Sequence, residues 1–255
     1  METTGVLEME LVDHLFSKCC LQQGLIKKDI LNMMEQFGLI VKITPPTNEI
    51  KYFVVPCQLK TPPQTNPEMA LSDPCPLYLH FLGGYVPHGF FWQLVSRCSR
   101  WCPKGEFKHV QPPKVFLAAS KFVIKKEHIH YLILLCKKRF IKVILTHSQP
   151  VHGASFAEAR EVAILVRTFL EETVQDLRRE HSWLSNFNCD TCVVCPDCPP
   201  KEEACRIHHE VSCDHEDCLC LLKILEEGEL KHCQEIVGVK QRTVEGLEKW
   251  FAGKG

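Results

Sequence analysis

The stretch from Leu25 to Leu59 constrains this chain most, because its hydrophobic period switches from helical to alternating with almost no room between. Ile26, Ile30, Met33, Met34 and Phe37 recur at helical spacing, and Gly38 follows where a left-handed residue closes a helix. Leu39, Val41 and Ile43 then alternate as one face of a strand. Thr44-Pro45-Pro46-Thr47-Asn48 cannot continue a ladder, and Ile50 to Val55 resumes the alternation on the way back. The pattern predicts helix, strand, turn, strand, the outline of a small winged-helix unit. Leu7, Leu11, Val12, Leu15, Phe16 and Cys19 mark an amphipathic helix that begins near Thr3 or Thr4 and packs on the helix before Phe37.

After Leu59 the segment TPPQTNPEMALSDPCP has five prolines and no clear period, which predicts a linker over residues 61–76. From Leu77 the chain reads as a short strand, a glycine turn and a helix opening at Pro87, with Phe90, Phe91, Leu94, Val95 and Cys98 as its buried stripe. Strands follow at Lys114 to Ile124, Ile129 to Cys136 and Phe140 to Thr146, joined by short charged turns, an antiparallel meander. Ala154 to about Ser182 is the longest helix, with Phe156, Val162, Ala163, Val166, Phe169, Leu170, Val174 and Leu177 on a stripe that would cover one face of the sheet. The expected fold is α+β: a winged-helix-like subdomain over 1–60, a linker over 61–76, an antiparallel sheet with a long covering helix over 77–187, and a Cys/His-rich extension over 188–255.

A chain of 255 residues with 45% hydrophobic and 24% charged residues can bury a core of its own. Its formal net charge of -1 supplies no global field for nucleic acid or an anionic membrane. Acidic residues near the start do not suit a signal peptide, and no apolar run approaches the ~20 residues that span a bilayer, so the expected location is the cytoplasm, with no membrane partner. Lys27-Lys28, Lys125-Lys126 and Lys137-Lys138-Arg139 are basic clusters interleaved with acidic residues. They read as solvated turns, and no nucleic-acid partner is expected.

Nine of the sixteen cysteines lie between Cys189 and Cys233. Cys189, Cys192, Cys195 and Cys198 form overlapping C-x2-C pairs, the spacing that lets two thiolates reach one tetrahedral zinc ion. Cys205, His208, His209, Cys213, His215, Cys218, Cys220 and Cys233 offer further donors, and spacing alone leaves the ligand set open. Without HExxH or the deaminase pattern, a structural zinc is expected rather than a catalytic one. No GxxxxGK[ST] phosphate loop, GxGxxG, kinase or GxSxG signature occurs, so no catalytic residues are assigned and no enzyme activity is expected.

Phe37-Gly38-Leu39, with the closing Tyr52-Phe53-Val54-Val55-Pro56-Cys57-Gln58-Leu59, resembles the first half of the C-terminal-of-Roc (COR) module of Roco proteins. The strand from Leu77 followed by Gly84-Tyr85-Val86-Pro87-His88-Gly89-Phe90-Phe91, with Leu94 and later Trp101, resembles the opening of its second half. The resemblance implies a non-catalytic scaffold that binds protein, forms a homodimer through the second half, with Phe90, Phe91 and Trp101 as candidate anchors, and works with a Roc-type GTPase domain in trans. The zinc ligands it implies are Cys195, Cys198, Cys218 and Cys233, leaving Cys189, Cys192, Cys205, Cys213 and His215 over for a second ion. A different reading of the same residues is a zinc-containing winged-helix protein that binds nucleic acid.

Overall fold

Val6 and Leu7, which helical spacing assigns to the first helix, belong to a strand. The computed structural model describes residues 5–18, 27–43, 52–60, 73, 75–102, 108–109, 113–147, 154–195, 219–224 and 247–251. Within them the chain is mixed α+β, with four α-helices and a large antiparallel sheet. It divides into two compact units, Met1–Leu71 with Pro87–Leu135, and Ser72–Val86 with Cys136–Gly255.

In the first unit, β1 (Val6–Glu8) leads into α1 (Met9–Lys18), α2 (Lys27–Gln36), β2 (Val41–Ile43) and β3 (Tyr52–Val54). The three strands form an antiparallel sheet in the order β1-β3-β2, with Val6 and Val41 both opposite Val54. The pairing explains the missed strand: Leu7 lies opposite Phe53, far along the chain, and the amide of Val55 donates to the carbonyl of Gly5 at 2.7 Å. Thr3, Thr4, Ile26 and the turn from Thr44 to Asn48 lie outside the described residues. Val12, Leu31, Ile40 and Phe53 make the core, with Met34, Phe16 and Leu7 packed on it.

The face of α2 that is buried differs from the expected stripe. Leu31 is inside, whereas Met33, Phe37 and the neighbouring Leu39 are about half exposed. Leu31 and Met34 take the core-facing side of the helix because α1 and the sheet lie there. Leu11 and Leu15, one turn apart on α1, are likewise exposed.

A third helix of this unit, α3 (Phe90–Trp101), brings the later sequence back to β2. Phe90, Phe91, Leu94, Val95 and Cys98 are buried as the stripe predicts. Phe90 and Phe91 therefore serve as interior residues, and Trp101 is half-buried. The polar side of α3 meets α2 and β2: Ser96 Oγ donates to Glu35 Oε1 at 2.9 Å, Gln93 Nε2 to the Glu35 carbonyl, and Ser99 Oγ to the Lys42 carbonyl at 3.3 Å. Lys42 Nζ closes the set, 2.6 Å from Glu35 Oε2 and 2.9 Å from Asn32 Oδ1. Such paired, partly buried charges fix one register between elements more than they add stability. Above them Gly38 and Gly89 touch. Both have positive φ, +68° and +84°, and a Cβ on Gly38 would lie 3.0 Å from the Gly89 Cα.

The expected strand from Lys114 to Ile124 is two, β6 (Lys114–Phe116) and β7 (Ala119–Lys125), turning at Leu117 and Ala118 without a glycine, proline or asparagine to announce it. The Leu117 amide donates to the Lys60 carbonyl at 3.1 Å. β7 pairs with β6, with β5 (Lys108–His109), and along its full length with β8 (Ile129–Cys136).

In the second unit, β4 (Leu77–Phe81), β9 (Phe140–His147), β10 (Cys189–Val194) and β11 (Leu221–Lys223) run antiparallel in the order β11-β10-β4-β9. Leu77, Leu79, Ile141, Val143 and Val193 on one face are fully buried. The stripe Val162, Ala163, Val166, Leu170 and Leu177 on α4 (Ala154–Glu180) is fully buried too, whereas Phe156, expected on the same stripe, is 49% exposed. Tyr78, Phe140 and Cys192 cluster on the other face, Tyr78 and Phe140 edge to face at 5.1 Å.

A short 3-10 turn, Leu247–Trp250, is clamped into this unit. Trp250 is fully buried and its Nε1 donates to the Cys75 carbonyl at 2.7 Å. Arg167 Nη1 donates to the Trp250 carbonyl at 2.9 Å, and Arg160 Nη2 to that of Phe251 at 3.1 Å. Lys249 Nζ lies 2.5 Å from Asp73 Oδ1, while Asp73 also accepts from the amides of Cys75 and Leu145. A buried carboxylate with an ammonium and two amides is fully satisfied, so its burial is tolerated.

His80 sits between Phe140 and Asp190 in the register. Burial and then Arg139 hold its pKa below the ordinary value of 6.5, with Asp190 opposing. The unfolded chain takes up this proton first as pH falls, so the contribution to stability is complete above 6.5 and is lost as pH drops through 6.5 toward the lower folded value. Melting temperature should fall between about pH 7.5 and about pH 5.5, and fall less in His80→Gln. An unchanged slope in the variant would assign the acid sensitivity to other groups.

Candidate metal centre

Six residues of the cysteine-rich tail form β10, and an extended strand decides which of its thiols can share an ion. Successive side chains alternate between faces, so positions three apart point opposite ways. Cys192 packs with Tyr78 and Phe140, while Cys189 and Cys195 belong to the other face. The pairs Cys189/Cys192 and Cys192/Cys195 are therefore not chelating turns, whatever their C-x2-C spacing suggests. Burial raises both earlier thiols, Cys189 with help from Cys192 and Asp190, and Cys192 to about 12 with help from Asp190. Cys192 is a core residue of the sheet, and Cys189 is half-buried.

Cys195 is different because it lies just past the end of the strand. β10 and β11 pair Val194 with Leu221, and one step further the Cys195 amide donates to the Cys220 carbonyl at 2.8 Å. Cys195 and Cys220 are thus directly opposite each other and share a face of the two strands. Cys195 is buried and Cys220 half-buried.

Cys198, Cys218 and Cys233, the other three ligands implied by the resemblance, lie outside the described residues, as do Cys205, Cys213 and His215. Among the described residues, no group of three potential ligands includes a cysteine. What can be tested on the geometry is the donor chemistry at the neck. Two thiols on opposed residues, with no disulfide at either, suit a soft tetrahedral ion such as zinc. Cys220 is a donor that the resemblance did not select, and the signal for it was the register of β10 on β11, which spacing along the chain does not carry.

Other reactive groups are occupied structurally. Cys98 on α3 and Cys102 just past its end are buried, which raises Cys98 well above its ordinary value and Cys102 to about 12. Neither is a nucleophile at neutral pH. In the first basic cluster, Lys27 forms an ion pair with Asp13. No described helix is long and apolar enough to cross a membrane.

No protein-family model matches the sequence, and no curated protein matches it.

Proposed function

We propose that this chain is a non-catalytic, COR-like scaffold that works by binding protein, including a second copy of itself, in the cytoplasm. One observation carries the reading. The two stretches that resemble the halves of a COR module, Phe37-Gly38-Leu39 and Pro87-His88-Gly89-Phe90-Phe91, meet in one compact unit at a glycine-to-glycine contact where a Cβ on Gly38 would lie 3.0 Å from the Gly89 Cα. The order β1-β3-β2, with the last strand between the other two and two short helices alongside, supports the winged-helix-like half.

The half-exposed pair Met33 and Phe37, one turn apart on α2, gives a scaffold an apolar surface to offer. It replaces Phe90 and Phe91 as the anchor of self-association, since those two are interior. A Roc-type GTPase domain supplied in trans is the hetero-partner that the resemblance implies. Light scattering over about 1–100 µM should show the mass rising above the 29.3 kDa of one chain, as a reversible dimer of ordinary interface size requires. A constant 29.3 kDa would remove self-association.

The tail is a structural zinc site, held by Cys195 with Cys198, Cys218 and Cys233, and Cys220 stands beside Cys195 as the alternative fourth donor. Zinc there would tie residues 196–218 to the β10–β11 ladder. Structural zinc contributes about 10–16 kcal/mol in small finger peptides, comparable to the stability of a whole domain. Reduced protein purified without chelator should carry about one equivalent of zinc per chain, and chelation should raise amide exchange at β11 before β4. Less than about half an equivalent would contradict the site.

A further inference from the structure

Three segments of the second unit end together. β4 runs out at Phe81, β9 starts at Phe140 and β10 starts at Cys189, and the antiparallel register places these ends side by side. The connections are stitched by backbone hydrogen bonds: Leu82 amide to the Asn188 carbonyl at 3.0 Å, Val86 amide to the Lys138 carbonyl at 2.7 Å, and Phe81 amide to the Arg139 carbonyl at 2.9 Å. Tyr85 meets Phe187 edge to face at 5.6 Å, and Trp183 lies against His181 at 5.7 Å. Arg178 Nη2 reaches the Ser185 carbonyl at 3.4 Å. These contacts join the three loops at one end of the sheet.

Its chemistry is unlike that of the chain as a whole. Leu82 is 57% exposed, Tyr85 51% and Trp183 38%, all large apolar side chains on loops where small polar residues are the rule. Lys137, Lys138, Arg139, Arg178 and Arg179 belong to the same loops and helix end, against Glu180 and Asp176, the latter ion-paired with Arg179, which leaves a local excess of positive charge in a chain whose formal net charge is -1. A local basic field around an apolar patch complements a partner with the reverse pattern. Such a rim steers the encounter, while the aromatic and leucine side chains supply the buried contact.

We propose that this end of the second unit docks an acidic segment of a partner protein that carries leucine or aromatic side chains. The proposal rests on the scaffold reading and gives it a surface and a partner chemistry. Nucleic acid fits less well because base stacking needs open ring planes, and here the rings meet each other edge to face or tilted. A lipid surface fits less well because interfacial binding draws on a helix face sunk about 5–10 Å, whereas these apolar side chains sit on loops.

The test uses the full chain and a fluorescein-labelled peptide alternating glutamate with leucine and phenylalanine. Saturable binding with Kd on the order of 10⁻⁵ M in low salt is expected, weakening as salt rises. Lys137→Glu with Lys138→Glu, and separately Tyr85→Ala, should each weaken it about tenfold or more with melting temperature unchanged. Lys125→Glu with Lys126→Glu makes the same charge change in the other unit and should leave it unaltered. Absence of saturable binding, an equal loss in that control pair, or tighter binding to phosphatidylserine vesicles or oligouridylate with the same variant dependence would each overturn the proposal. Self-association is read separately: a chain that dimerises but ignores the peptide loses this proposal and keeps the scaffold reading, and a monomer that binds the peptide keeps this proposal and loses only self-association.

Discussion

Trp250→Ala should destabilise the second unit by about 3–5 kcal/mol, the cost of emptying a fully buried large aromatic site. More than packing is at stake. The indole Nε1 would no longer satisfy the Cys75 carbonyl, and the turn that presents carbonyls to Arg160 and Arg167 would lose its anchor. Trp250→Phe separates the contributions, because it keeps most of the ring volume and gives up a hydrogen bond of about 1 kcal/mol. Phe156→Ala on α4 is the control: a large aromatic change at a side chain 49% exposed, expected to cost under about 1 kcal/mol. Urea unfolding followed by far-ultraviolet circular dichroism measures all three. Equal losses for Trp250→Ala and Phe156→Ala would mean that the 3-10 turn is not docked.

Gly38→Val should cost the first unit about 2–4 kcal/mol, for two reasons that add. A β-branched residue at φ +68° is strained by about 1–2 kcal/mol, and its side chain meets the Gly89 backbone, which cannot rotate away as a side chain would. The melting temperature should drop by roughly 10 °C. Gly84→Val makes a useful comparison because Gly84 has a similar positive φ, +81°, but nothing lies within 4 Å of its Cβ position. It should show the strain alone. If the two variants lose the same stability, the contact between the motif stretches contributes nothing beyond backbone conformation.

Much of the architecture can be read from hydrophobic periodicity because the elements concerned are long or wholly one-sided. The stripe on α3, the stripe on α4 and the ladders of β8 and β9 announce themselves. What periodicity misses is set by partners distant in sequence. β1 has three residues, and only their pairing with β3 makes Val6 and Leu7 a strand rather than the start of α1. The turn at Leu117 and Ala118 carries no turn-forming residue. β10 takes its place beside β4 through Cys189 opposite Phe81 and Thr191 opposite Leu79, contacts that no local pattern encodes. The candidate metal centre shows the same division. Spacing finds cysteines dense enough to bind an ion, but the pleat of β10 turns Cys192 into the sheet, and the register on β11 puts Cys220 opposite Cys195.

The exposed apolar pairs have a similar origin. Met33 and Phe37 have the spacing of a buried stripe, yet α2 turns Leu31 and Met34 to the core and leaves that pair outside. Sedimentation velocity of the full chain at micromolar concentration, wild type against Met33→Asp with Phe37→Asp, tests the scaffold reading most directly. The account predicts a wild-type species of twice the 29.3 kDa chain mass and a variant at 29.3 kDa with an unchanged melting temperature. A wild-type protein that sediments as a 29.3 kDa monomer up to about 100 µM, or a dimer that the double substitution leaves intact, would contradict it.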